Sequence, residues 1–338
     1  MRSPALASSP ASPRLSRRDA GRLALGVFAL ALAAWVSMAV GGANMSLLDV
    51  VTGRASADDL LVFTLSRVPR TLAIILAGAS MSVAGLVMQM LVRNRFVEPS
   101  TTGVTESATL GILVVTIVAP ALPLPAKMIV ACCFALAGTG LLLGLVRLLP
   151  HRDVIVVPLL GILLSGIIGA AGTLLAWQYQ LQGTVAAWSL GDFSGIIAGR
   201  YELLWIVGGC AIAAYLLADG LTMIGLGEDV ARNLGVSVAT ISGVGLAIVA
   251  VIAGVVTVVA GSLPFLGLVV PNLVSLLVGD FVRRSLPLVA LGGALFVLLS
   301  DVIARSVIAP AEIPVGTVMG VIGGTFFLVF LLRQGGRQ

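Results

Sequence analysis

Nine stretches of this chain contain no Asp, Glu, Lys or Arg: 23–48, 71–92, 107–126, 128–146, 154–191, 203–218, 233–279, 285–300 and 313–332. A helix needs about 20 apolar residues to cross a bilayer, and most of these stretches are that long. Backbone polar groups in hydrocarbon must be satisfied internally, so runs of this kind fold as helices. Composition agrees. Hydrophobic residues are 59% and charged residues 10% of the 338, against about 45–50% and about 25% in soluble domains. Too little charge is present to cover a soluble globule of this size. An ordinary soluble enzyme, a disordered protein and a collagen-like fibre are excluded.

Two stretches are too long for one helix. In 154–191 the cluster Gln178, Gln180, Gln182 and Gly183 ends a span near Trp177 and predicts a re-entrant or interfacial segment after it. In 233–279 the sequence Gly261-Ser-Leu-Pro264 divides a long helix from a short one. The expected fold is therefore an all-α polytopic membrane protein. Its ten helices lie near 23–42, 69–91, 103–119, 126–148, 154–177, 201–221, 238–260, 265–279, 285–305 and 313–333. Residues 1–21, rich in Ser, Pro, Ala and Arg, read as a disordered cytoplasmic tail ahead of a permease domain at 22–333. The Arg17-Arg18 pair before an apolar run also fits an export signal, but the run is long enough to span and reads as an uncleaved first helix. Fourteen arginines fall on the side of both termini. Arg54, Arg67, Arg70, Lys127, Arg200 and Arg305 fall on the other, which puts the termini in the cytoplasm.

Several chemistries are poorly supplied. Lys127 is the only lysine and follows Ala126, so the chain has no phosphate-binding loop of the G-x-x-x-x-G-K-[ST] type. His151, the only histidine, lies beside Arg152 and Asp153 and reads as a loop residue. Cys132, Cys133 and Cys210 sit in apolar runs and read as small buried hydrophobes. The basic residues flank apolar runs rather than forming a patch, which argues against nucleic acid. Gly78, Ser82 and Gly85 share a helix face, as do Gly161, Ser165 and Gly169, and Gly316, Gly320 and Gly324. Small residues at this spacing let helices approach closely in membranes.

Two segments stand out. Leu226, Val230 and Leu234 recur at i, i+4 and i+8, Glu228 and Arg232 form an i,i+4 pair, and Gly235 is placed to end a short helix. This is either a helix lying on the bilayer or one docking on a partner protein. Arg67-Val-Pro-Arg70 opens the second helix with Pro69 in its first turn. Its arginines would point outward, toward lipid phosphates or toward carboxylates of a soluble protein. Asp301 and Arg305 lie at i, i+4 and suggest a mutual pair. Glu106 and Glu312 lie at helix starts, where the helix dipole favours an acid.

Taken in order, Arg67-Val-Pro-Arg70, Gly78-Ala79, Gly85-Leu-Val-Met-Gln-Met-Leu-Val-Arg-Asn94, Glu98-Pro99 and Gly103 resemble the FecCD-type permeases. These are membrane subunits of bacterial ABC importers for ferric siderophores, haem and cobalamin. The resemblance continues through Trp188-Ser-Leu-Gly191, 226–235, Gly267-Leu-Val-Val-Pro-Asn272, Asp301-Val-Ile-Ala-Arg305 and Glu312-Ile-Pro-Val-Gly316. It implies a cobalamin-permease-like type II ABC importer fold in the bacterial cytoplasmic membrane. The expected partners are a second permease subunit, identical or related, two ATP-binding subunits, and a periplasmic or lipoprotein substrate-binding protein. No enzyme activity and no cofactor are expected on this chain.

By the same resemblance, 226–235 is the coupling helix, with Leu226, Gly227, Glu228, Ala231, Arg232, Leu234 and Gly235 meeting the ATPase. Arg67, Arg70 and Arg305 would receive glutamates of the binding protein, and Trp188–Ser194 would lie near the path. Asn272, where many members carry His, resembles the subgroup for catecholate-type ferric siderophores. Cobalamin or haem is the competing cargo. An ion-coupled secondary transporter and an intramembrane enzyme are the rivals. The first would carry ionisable groups at mid-membrane, and the second a converging nucleophile and base.

Overall fold

The computed structural model describes residues 17–40, 52, 54–148, 156–308 and 311–335. Among these the chain is helical, with no strand. The helices are α1 (Arg17–Ala39), α2 (Ala57–Val92), α3 (Val104–Val118), α4 (Leu124–Leu148), α5 (Val156–Gln178), α6 (Gln182–Ser189), α7 (Leu204–Leu216), α8 (Ala218–Leu226), α9 (Glu228–Asn233), α10 (Val238–Ala260), α11 (Leu266–Val278), α12 (Val282–Ser306) and α13 (Val315–Gly335). Six are long and apolar enough to cross a membrane: α1, α2, α4, α5, α10 and α12. The bent pair α7–α8 makes a seventh. Three shorter apolar helices, α3, α11 and α13, complete the ten predicted segments.

Helix α2 is the axis of the bundle and packs on α7, α10, α11 and α12. Its small-residue face sets how close they come. A Cβ on Gly78 would stand 2.7 Å from the Gly293 carbonyl of α12, and one on Gly85 would overlap the Gly267 backbone of α11. The second stripe behaves alike at Gly161, which abuts Thr102 just before α3. The third divides: Gly316 is pressed against Leu190, while Gly320 faces open space.

The short helix α11 starts inside the bundle. Residue Gly85 lies seven residues before the end of α2, about 10 Å along the axis. The start of α11 packs at that level, so α11 spans only part of the membrane thickness. The 93–103 segment folds back to meet it. Gln89 donates to the Gly267 carbonyl (3.0 Å), and the Glu98 carboxylate accepts from Phe265 N–H at 2.8 Å and Ser100 Oγ at 2.6 Å. Backbone N–H groups of Gly267 and Leu268 are also within its reach. Glu98 is 1% exposed and serves as the acceptor for the first turn of α11, where helix N–H groups have no internal partner. Asn272 binds the same segment from α11, donating to Arg95 O at 2.9 Å and Leu268 O at 2.7 Å.

Three boundaries differ from expectation. Helix α1 starts at Arg17, so residues 17–21 are helical rather than tail. Asp19 is buried there and pairs with Arg22 and Arg284. Residues 1–16 and His151 lie outside the described residues. Helix α2 starts twelve residues early, at Ala57, because Ser56 and Asp59 form a capping box. It runs on through a π-helical turn at Phe63–Arg67, and this wider turn lets the helix pass through Pro69, which lacks an N–H. The predicted helix 201–221 is broken, α7 and α8 meeting at 62°. The bend carries Asp219 to an ion pair with Arg283.

If the close approach at Gly85 sets the bundle, Gly85→Ala will lower the stability of the detergent-solubilised protein by about 2 kcal/mol or more. Gly144→Ala, whose Cβ meets nothing within 4 Å, will leave the unfolding temperature near wild type. Equal effects of the two would contradict the packing.

Candidate functional site

The two segments singled out in the sequence lie at opposite ends of α2. Its regular part, Val68–Val92, has 25 residues, or about 36 Å. Arg67 and Arg70 sit at one end and Arg93 at the other, where it reaches Glu228 (3.8 Å) on α9.

At the Arg93 end the predicted helix is shorter than 226–235. Gly227, at φ 134°, separates Leu226, the last residue of α8, from α9, and Gly235, at φ 79°, follows it. Both angles lie where only glycine is at ease. The apolar face survives the break. Leu226, Val230 and Leu234 are 69%, 43% and 60% exposed, while Ala231 on the other side is buried. Glu228 stands between Arg93 and Arg232, each 3.8 Å away. The end of α8 and the glycine-flanked α9 thus present three bare aliphatic side chains, and α9 anchors its back to the bundle through Ala231 and the Arg93 contact. Leu226, Val230 and Leu234 have no cover within the described chain.

At the other end the arginines turn inward, contrary to the outward presentation expected for them. Arg67 is 8% exposed and donates through Nη1 to the carbonyls of Met38 (2.5 Å) and Ala39 (3.4 Å). Arg305, also 8% exposed, donates to Val40 O (2.6 Å) and Ser37 Oγ (2.8 Å). These are the end of α1, where carbonyls lack helical partners and attract cations. Arg70 lies between Asp301 (2.7 and 3.2 Å) and Glu312 (2.8 Å). Asp301, fully buried, also has Arg305 Nη2 at 2.6 Å from its Oδ2. The i,i+4 pair expected of Asp301 and Arg305 is present, but it is one edge of a network joining α1, α2, α12 and the start of α13. Sequence spacing gave no sign of the Arg70 contacts, whose partners are 231 and 242 residues away.

Near this network the predicted re-entrant stretch forms α6 and a turn held by three backbone bonds. Ser262 N–H donates to Trp188 O (3.0 Å), Asp192 N–H to Ala260 O (2.8 Å) and Gly316 N–H to Gly191 O (3.1 Å). The break at 261–264, the Trp188–Ser194 element and α13 are therefore one unit. Asn272, read as a cargo marker, is 3% exposed and committed to backbone carbonyls, so it acts on packing. Among the described residues no group of three or more His, Cys, Asp and Glu could hold a metal ion.

Removing one member of a buried ion network strands the others, at a cost of about 3–5 kcal/mol. Asp301→Asn is therefore expected to lower the unfolding temperature strongly. Glu312→Gln, at a site 34% exposed in its side chain, is expected to cost less than about 1 kcal/mol. A thermal melt in detergent showing the two equal would contradict the arrangement.

Residues 29–333 match the model of the FecCD transport family. The chain is 40% identical over 305 residues to the petrobactin import system permease protein YclN of Bacillus subtilis (strain 168), covering 90% of this chain and 96% of that one. It is 38% identical to the ferric-anguibactin transport system permease protein FatD of Vibrio anguillarum (strain ATCC 68554 / 775), over 79% and 85%. Among solved structures, one described as an inward-facing conformation of a metal-chelate type ABC transporter superposes with a TM-score of 0.77 at 25% identity, over 93% of this chain and 99% of the other. The chain therefore belongs to the FecCD transport family and is a membrane permease.

Proposed function

We propose that this permease carries a ferric siderophore, of the catecholate type, across the bacterial cytoplasmic membrane. It would work with a second permease subunit, two ATP-binding subunits and a substrate-binding protein. The observation that carries the reading is the pair of unlike ends on α2. One end offers Leu226 at the end of α8 and Val230 and Leu234 on the glycine-flanked turn of α9, a shape suited to a groove on a protein in the cytoplasm. The other is an arginine–carboxylate rim, suited to a charged protein outside. The relatives named for petrobactin and ferric anguibactin support the cargo class. This orientation puts both termini in the cytoplasm, as the arginine distribution favours.

Work is done by population shift. ATP binding on the partners moves α9, and α9 is tied to the end of α2 through the Arg93–Glu228 contact and to the bundle through buried Ala231. Motion there biases the helices packed on α2 toward one of two arrangements. ATP supplies the free energy because the partners bind these arrangements unequally. At the outer rim a carboxylate of the binding protein would join the network at Arg70, beside the half-exposed Glu312. Arg67 and Arg305 would hold the end of α1 in place beneath it, a supporting part in the same docking.

Cells lacking the chain are expected to lose uptake of radioactive iron offered as a ferric catecholate and to regain it on complementation. Loss of haem, hydroxamate or cobalamin uptake instead would overturn the cargo class. The pair Val230→Asp and Leu234→Asp is expected to leave the protein in the membrane, abolish co-purification with the ATPase subunit and reduce uptake at least ten-fold. Normal uptake by that variant would remove the docking role of α9.

A further inference from the structure

A cavity of about 240 Å³ lies between α3, α5 and α6, closed at one end by the 261–264 break. Its wall carries Thr105, Glu106, Thr109, Thr173, Ser189 and Ser262, and no basic side chain. The hydroxyls are already oriented. Thr109 donates to Thr105 O (3.0 Å), Thr173 to Gly169 O (2.9 Å) and Ser189 to Val185 O (2.9 Å), each within its own helix. Each of these three spends its proton there and keeps lone pairs for the cavity. Thr105 Oγ1 and one carboxylate oxygen of Glu106 are buried with no partner. Ser165 and the residue's own backbone N–H flank the Glu106 carboxylate. Apart from the unspent Thr105 hydroxyl, the cavity wall thus offers acceptors: the Glu106 carboxylate and the lone pairs of Thr109, Thr173 and Ser189.

Helix capping explains why an acid is tolerated at the start of α3, but not why one of its oxygens faces a polar cavity unpaired. Ionisable groups inside a membrane are costly and mark sites by default. A ligand group that brings several N–H donors and a positive charge would satisfy every acceptor at once. The mouth opens at Thr173 and Ser189, both exposed on α5 and α6, so the cavity is reached without disturbing the packed faces of α2.

We propose that the Glu106 cavity is a cargo subsite for a protonated amine, and that it selects ferric chelates carrying an ammonium group over purely anionic ones. The proposal rests on the siderophore reading above. An ammonium docks against the Glu106 carboxylate and the Thr105, Thr109 and Thr173 oxygens. A chelate with only negative charge meets repulsion from the same carboxylate, so the site discriminates in both directions.

The test uses the complete importer with its binding protein and ATPase in proteoliposomes. Two ferric catecholates are compared, one built on a polyamine backbone and one on an all-carbon backbone of equal length. Wild type is expected to take up the amine-bearing chelate at a lower half-saturating concentration. Glu106→Gln is expected to reduce that preference roughly ten-fold or more, the scale of a hydrogen-bonded charge contact. Glu106→Asp should keep its direction. Thr173→Val, on an exposed position of α5, is expected to reduce it by a smaller factor and guards against a folding defect at Glu106. A wild-type importer with no preference, or variants that keep the wild-type ratio, would overturn the subsite alone. A wild-type importer that moves neither chelate would overturn the siderophore reading and the subsite with it.

Discussion

The bundle hangs on one buried carboxylate. Glu98 meets the first N–H groups of α11 inside the fold, at a level where α2 still has about two turns to run. A helix that starts within a membrane leaves its opening N–H groups without water. Charge-assisted hydrogen bonds, roughly twice as strong as neutral ones, answer that need. Because Glu98 belongs to the segment after α2, its bond to Phe265 ties the turn at 93–103 to α11. Gln89 and Asn272 reinforce the same joint. The Gly85–Gly267 contact depends on this joint, and through it so does the position of the 261–264 break. The break in turn holds the Trp188–Ser194 element and the start of α13. A local cap thus fixes the start of α11 and, through the break, the Trp188–Ser194 element and the start of α13.

The same constraint explains why the fold was legible in some places and hidden in others. Uncharged runs located all ten apolar segments, because a membrane span is a statement about composition. The glycine and serine stripe at 78, 82 and 85 pointed to close packing, because one helix face suffices to show it. The break at Gly261–Pro264 was visible in its own residues. What stayed hidden depends on partners far along the chain. Nothing in Glu98-Pro99 says that the acid will meet Phe265, 167 residues later, and nothing near Arg70 names Asp301. The early start of α2 is written in Ser56-Ala-Asp-Asp59, which has the spacing of a capping box, while Pro69, equally suited to a first turn, sits inside the helix. The bend at Leu217 has no Gly or Pro at that residue to announce it, and the Asp219–Arg283 pair it permits lies 64 residues apart in sequence.

The two ends of α2 show a division of labour. At one end the apolar side chains of α8 and α9 are exposed, and α9 is fastened to the bundle through Ala231 and the Arg93 contact. At the other, Arg67 and Arg305 are spent on the carbonyls of α1, and Arg70 on two carboxylates. The rim is a rigid plate with one half-exposed corner at Glu312. Under the proposed docking at both ends, this asymmetry would let a motion at α9 pass along α2 rather than be absorbed at the far end. The hydroxyl-lined cavity at Glu106 lies off that axis, between α3 and α5, where the face of α5 is largely uncovered.

The measurement that tests the central claim most directly is hydrogen–deuterium exchange of the amides at 265–268 in Glu98→Gln against wild type. The substitution keeps the shape, removes the charge and turns an amide NH2 toward N–H groups that need an acceptor. If Glu98 holds the inner end of α11, these amides will lose protection by at least ten-fold while those at the middle of α10 keep theirs. Unchanged protection at 265–268 would contradict the account, because the joint at the inner end of α11 would then be held by something else.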